Sequence, residues 1–160
     1  MTSANDLLVS IRQITRAIDL HSKQLAKKSG LTVPQLMVLQ SLSETGRAKP
    51  SDIARQVFLS QATVTSIVDR LARAGLITRE RSAEDRRVLE VVLSRAGRDR
   101  LNDAPKLLQE GFLSKFDELQ PWEQTQLLSA LQRIAFMMNA TGIDAAPILE
   151  VGDLHDGSAP

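Results

Sequence analysis

The sequence predicts a mainly α-helical chain that carries one small β-wing. Three observations predict it. Apolar residues recur at i, i+3, i+4 and i+7 through most of the chain, the period of a helix with one buried face. That period gives way between Leu76 and Leu93, where two β-prone runs flank a polar tip. Directly before those runs stand two short helical patterns joined by a tight turn, the layout of a helix-turn-helix.

In chain order, Asn5 to Ser29 reads as a long first helix. Leu7, Leu8, Ile11, Ile14, Ile18, Leu25 and Ala26 keep helical spacing, and Gly30 is placed to end it. A second helix starts at Thr32-Val33-Pro34-Gln35, where Thr and Gln form a capping box and Pro sits in the first turn. Leu36, Val38, Leu39 and Leu42 give it a core face, and Gly46 closes it. Pro50-Ser51-Asp52 opens a short third helix ending near Val57. Ser60 caps a fourth, whose inward stripe is Val64, Ile67, Val68 and Leu71 and whose end is Gly75.

Leu76–Arg81 and Val88–Leu93 then read as two strands of a hairpin, with Ser82–Arg87 as its charged tip. Ser94 caps a fifth helix reaching to about Leu119, which Pro105 should bend by removing a backbone donor. Gln120-Pro121-Trp122 starts a sixth helix, with Leu127, Leu128, Leu131, Ile134, Ala135 and Met138 as its apolar stripe. The resulting expectation is a single domain over residues 1–142. Within it, residues 32–94 form a winged helix-turn-helix. Residues 5–29 and 95–140 form long terminal helices with more apolar surface than one small winged helix can cover, and a homodimer would bury it. Residues 143–160 are expected to be an irregular tail, docked through Ile148, Leu149 and Val151.

Composition narrows the function classes. Cysteine is absent, which excludes disulfides, thiolate metal sites and a cysteine redox switch. No secretory segment is visible and no apolar run reaches the ~20 residues that span a bilayer, so a soluble, cytoplasmic protein without membrane contact is expected. The net charge of +1 conceals an asymmetry. Residues 47–100 hold twelve Lys/Arg, eleven of them Arg, against seven Asp/Glu, whereas residues 101–160 hold three against nine. An Arg-rich middle favours an anionic partner, because the guanidinium fork binds phosphate or a guanine edge with two bonds.

The fourth helix leaves Gln61, Thr63, Thr65, Ser66, Asp69, Arg70 and Arg73 outside its apolar stripe. Such a face suits double-stranded DNA. Small polar residues at its start, from Ser60 on, can approach base edges, Gln can pair with adenine, and the helix N-terminus offers free N–H groups to phosphate. At the wing tip, Arg86 and Arg87 can enter a minor groove, and Asp85 could hold one guanidinium in a fixed fork. A solvent-facing amphipathic helix would show the same stripe; the preceding helix and following hairpin distinguish the two. A winged helix that binds protein instead of DNA remains the alternative, and it would lack a steep salt dependence. No nucleophile elbow, phosphate loop, carboxylate pair or metal-ligand cluster is present, so no enzymatic activity and no cofactor or metal are expected. The only histidines, His21 and His155, lie far apart. Trp122 with Phe58, Phe112, Phe116 and Phe136 makes no readable aromatic cage for a quaternary ammonium.

Several runs closely resemble the MarR family of bacterial transcriptional regulators: Pro50-Ser51-Asp52-Ile53-Ala54, Ser60-Gln61-Ala62-Thr63-Val64-Thr65, Val68-Asp69-Arg70-Leu71, Gly75-Leu76-Ile77, Asp85-Arg86-Arg87 and Leu93-Ser94 with Gly97. The resemblance covers roughly residues 5 to 140. It implies a homodimer joined through its terminal helices, pseudo-palindromic operators, and often a small-molecule ligand that lowers DNA affinity. Ser51, Ser60, Gln61, Thr63, Thr65, Ser66, Arg70, Arg73, Asp85, Arg86 and Arg87 make up the expected DNA-binding set. Within the family, Ile11-Arg12-Gln13-Ile14, Ile18–Lys23 and Pro147–Val151 resemble regulators of compatible-solute genes, which implies repression of osmotic-stress genes.

Overall fold

Side-chain caps set the first two helices in the computed structural model, which describes residues 3–143 and 145–151. α1 (Ala4–Ser29) opens on a capping box: the Ser3 hydroxyl accepts the Asp6 N–H at 3.3 Å, and the Asp6 carboxylate accepts the Ser3 N–H at 3.0 Å. It ends at Gly30, which takes a left-handed φ of 69° and donates its N–H to the Ala26 carbonyl. α2 (Val33–Thr45) starts on the expected Thr32–Gln35 box with Pro34 in its first turn. α3 (Pro50–Val57) and α4 (Gln61–Arg73) follow as the helix-turn-helix.

The wing is a three-stranded antiparallel sheet in the order β1-β3-β2, built from β1 (Arg47–Ala48), β2 (Ile77–Arg81) and β3 (Leu89–Leu93). Ile77 lies opposite Leu93 and Arg81 opposite Leu89, while Arg47 and Ala48 pair with Val92 and Val91. The sequence does not announce β1, because two residues are too few to show an alternating pattern. Only the exposed edge of β3 gives them something to pair with.

The fifth helix differs from expectation. Instead of one bent helix from Ser94 to Leu119, α5 (Arg95–Asp103) and α6 (Leu108–Asp117) are separated by extended backbone. Ala104 sits at φ −73°, ψ 144°, and the ring of Pro105 disfavours the helical region for the residue before it. The chain also changes unit here. The described residues up to Pro105, with the segment from Leu149, form one compact unit, and Lys106–Ile148 form another.

The first unit holds the core: Leu25, Leu36, Leu39, Leu42, Ile53, Val64, Val68, Leu71, Ile77, Val91 and Leu93 are buried there. α5 is seated by Ser94, whose hydroxyl accepts the Gly97 N–H at 3.0 Å and donates to the Gly75 carbonyl at 2.7 Å. Arg100 of α5 reaches the other way and donates to the Ser29 carbonyl at the end of α1, at 2.8 Å. In the second unit, α6 and α7 (Pro121–Met137) contain no buried residue. Phe112 and Phe116 stack at 6.0 Å between centroids, Gln124 donates to the Phe116 and Leu119 carbonyls, and the Arg133 guanidinium lies 5.7 Å from the Phe136 ring centre.

Residues 145–151 carry no helix or strand. Ile148, Leu149 and Glu150 are half-buried, whereas Val151, expected to dock, is exposed. The remainder of the tail, His155 included, lies outside the described residues. Among the described residues, no helix is long and apolar enough to cross a membrane.

Candidate nucleic-acid interface

α4 is held by its own first turn. The Ser60 hydroxyl accepts the Thr63 N–H at 3.1 Å and lies 2.7 Å from the Thr63 hydroxyl. Thr63 is therefore not presented outward as expected. It is buried, and its oxygen completes the cap. Val64, Ile67, Val68 and Leu71 face the core, leaving Gln61, Thr65, Ser66 and Arg73 exposed and Arg70 and Asp69 half-buried. The Thr65 hydroxyl donates back to the Gln61 carbonyl at 2.8 Å. Ser51, in the first turn of α3, is half-buried.

At the wing tip, the Val88 N–H donates to the Asp85 carbonyl and the Ser82 N–H to the Val88 carbonyl, both at 2.9 Å. The Asp85 carboxylate accepts the Arg87 backbone N–H at 2.9 Å. Asp85 thus shapes the turn, in place of the fork to a guanidinium that its sequence position suggests; an Asp side chain reaches the N–H two residues on more readily than a mobile neighbour. Arg81 donates to the Arg86 carbonyl at 2.7 Å and stiffens the tip from below. Among the described residues, Arg86 and Arg87 have no ion-pair partner, and both are exposed.

Two ion-pair groups, unread in the sequence, connect these elements. Arg79 of β2 pairs with Asp69 of α4, and Arg47 of β1 reaches Glu80 at 3.5 Å and Glu90 at 3.3 Å. Partners ten, thirty-three and forty-three residues apart leave no trace in a periodic pattern. Beside them, Thr45, Arg47, Ala48, Asp52, Arg55 and Gln56 line an open cleft of about 540 Å³. The interface therefore offers two kinds of contact. A polar helix face suits base edges, and a loop carries two uncompensated guanidiniums suited to phosphate or a narrow groove.

A family model described as the MarR family matches residues 31–89. The transcriptional repressor MdtR of Bacillus subtilis (strain 168) is 33% identical over 93 residues, which span 58% of this chain and 60% of that protein. The transcriptional repressor IacR of Pseudomonas putida is 31% identical over 114 residues, 71% of this chain and 68% of that protein. Among solved structures, a probable transcriptional regulator from Pseudomonas aeruginosa is 30% identical with a TM-score of 0.55, covering 79% of this chain and 94% of that chain.

Proposed function

The chain belongs to the MarR family of transcriptional regulators, and from that premise we propose that it represses transcription by binding pseudo-palindromic operator DNA as a homodimer. One observation carries the reading: an exposed polar face on α4 stands beside a wing tip whose two arginines have no anionic partner among the described residues. Gln61 and Ser66 read base edges, Arg86 and Arg87 enter the minor groove, and Ser51, Ser60, Thr65, Arg70 and Arg73 meet the backbone. Thr63 and Asp85 contribute by shaping the cap and the tip. The relatives matched are regulators, and the chain is not an enzyme.

Dimerisation is supported by unpartnered apolar side chains. Leu7, Leu8, Val9 and Ile14 of α1 are exposed, as are Trp122, Leu127, Leu128, Leu131 and Phe136 of α7. On each helix, taken by itself, an unpartnered apolar face of this kind marks a contact surface, and the terminal helices of a second copy cover it. Light scattering should give twice 17.6 kDa; a monomer at micromolar concentration rejects the dimer.

The genes controlled are those of osmotic stress, a reading supported by the runs Ile11–Ile14, Ile18–Lys23 and Pro147–Val151. A small molecule that lowers DNA affinity belongs to the same reading. Recovering bound genomic fragments tests it: operators beside compatible-solute genes are expected, and their absence removes the assignment. For DNA binding itself, the test is anisotropy against salt. Several phosphate contacts make affinity fall by orders of magnitude between 50 and 200 mM salt, on the order of 10³-fold or more. A flat dependence favours a protein partner.

A further inference from the structure

Phe58 sits between α3 and α4, where the turn makes an unusual demand. Its N–H and that of Leu59 both close onto the Ala54 carbonyl, the latter at 3.1 Å. That helix ending requires a left-handed residue, and Phe58 takes φ 56°, ψ 36°. Glycine meets the demand without strain; a bulky aromatic does not. The strain gains nothing in the core, because Phe58 is 70% exposed. The ring is thus strained, apolar and in solvent, only two positions before Ser60, the cap of the proposed recognition helix. Strain kept at a residue that the fold does not need points to binding.

We propose that Phe58 is a DNA-contact residue that packs its ring against the deoxyribose of the operator backbone. This rests on the DNA-binding reading above. The N-terminus of α4 favours a phosphate, and the exposed Gln61 and Ser66 of the helix occupy the base edges. Two residues of chain span at most about 7 Å. The ring therefore stands within reach of the sugar next to that phosphate. A sugar contact is apolar and sequence-independent, so it adds affinity without changing how many counterions are released.

The test compares the full-length protein with Phe58→Gly and Phe58→Asn, both of which accept a left-handed backbone. Both variants should keep or raise the thermal midpoint, and both should bind operator DNA about tenfold more weakly. The loss should be equal on random duplex, and the slope of log affinity against log salt should be unchanged. Unchanged affinity in the stable variants overturns the proposal, as does a loss confined to the operator, which would mark a base contact. A reduced salt slope overturns it too, since that reports a lost phosphate. Wild-type protein that binds no DNA rejects the underlying reading instead, so the two failures are distinguishable.

Discussion

Arg79 of β2 forms an ion pair with Asp69 of α4, a bond from the strand that begins the wing to the helix proposed to read DNA. The two partners are 40% and 43% exposed, so the pair's direct worth is small, about 0.2–1 kcal/mol after solvent screening. It spans from β2 to α4, and we propose that it braces the wing against α4 in the relation that binding one duplex requires.

Asp69→Asn or Arg79→Ala should therefore shift the urea midpoint little while weakening operator binding several-fold. Comparing the denaturation curve with anisotropy on the same sample separates the two effects. A loss of stability matching the loss of affinity would remove the bracing role.

At the wing tip, Arg86→Ala and Arg87→Ala should each cost about 1–3 kcal/mol of operator affinity. The backbone of the tip should survive both changes, because Asp85, Ser82 and Arg81 hold it through main-chain atoms of the loop. Full affinity in the double variant would take the wing out of DNA binding.

Gly97 decides how closely α5 approaches the sheet. A Cβ there would lie 2.0 Å from the Leu76 carbonyl oxygen and 2.8 Å from Leu93 Cδ1. Gly97→Ala must push α5 off Leu76, an overpacking cost of about 1–3 kcal/mol. A lower thermal midpoint in calorimetry is expected, and an unchanged one would show that the helix shifts freely.

Glu150 gives the described tail a pH dependence. Burial pushes its carboxyl above the ordinary value of 4.5, partly offset by the Val33 backbone N–H that it accepts. With a raised folded value, the native state binds more protons than the unfolded one just above 4.5. The contribution of Glu150 to stability is therefore fully present below that value and falls as pH rises through the folded value. Glu150→Gln keeps an acceptor for Val33 without the charge. It should flatten this part of the midpoint-against-pH curve and leave the acid end unchanged. An identical curve for both proteins would show that the tail is not coupled to folding.

Much of the architecture was legible in local chemistry. Thr32 with Gln35, Ser60 before its apolar stripe, and Ser94 three residues before Gly97 each act within one turn, so their caps appear where the sequence places them. Where a residue had two local roles open to it, the pattern pointed to the wrong one. Thr63 looked outward because it is polar, yet it stands four residues before Ile67 on the buried face, where its hydroxyl joins the Ser60 cap. Asp85 looked like an arginine partner, yet the tight tip brings a backbone N–H closer. Pro105 was expected to bend a helix that its clash with Ala104 breaks outright.

By itself the sequence determined the helix-turn-helix, the hairpin and the two exposed arginines, because periodicity, capping and turn chemistry are all local. Only the tertiary structure decided that Arg47 makes an edge strand and that Asp69 and Arg79 tie reader to wing. It also decided that Phe58 bears a left-handed turn while exposed to solvent. Those features depend on which surfaces meet after the chain has folded, and no spacing of residues records that.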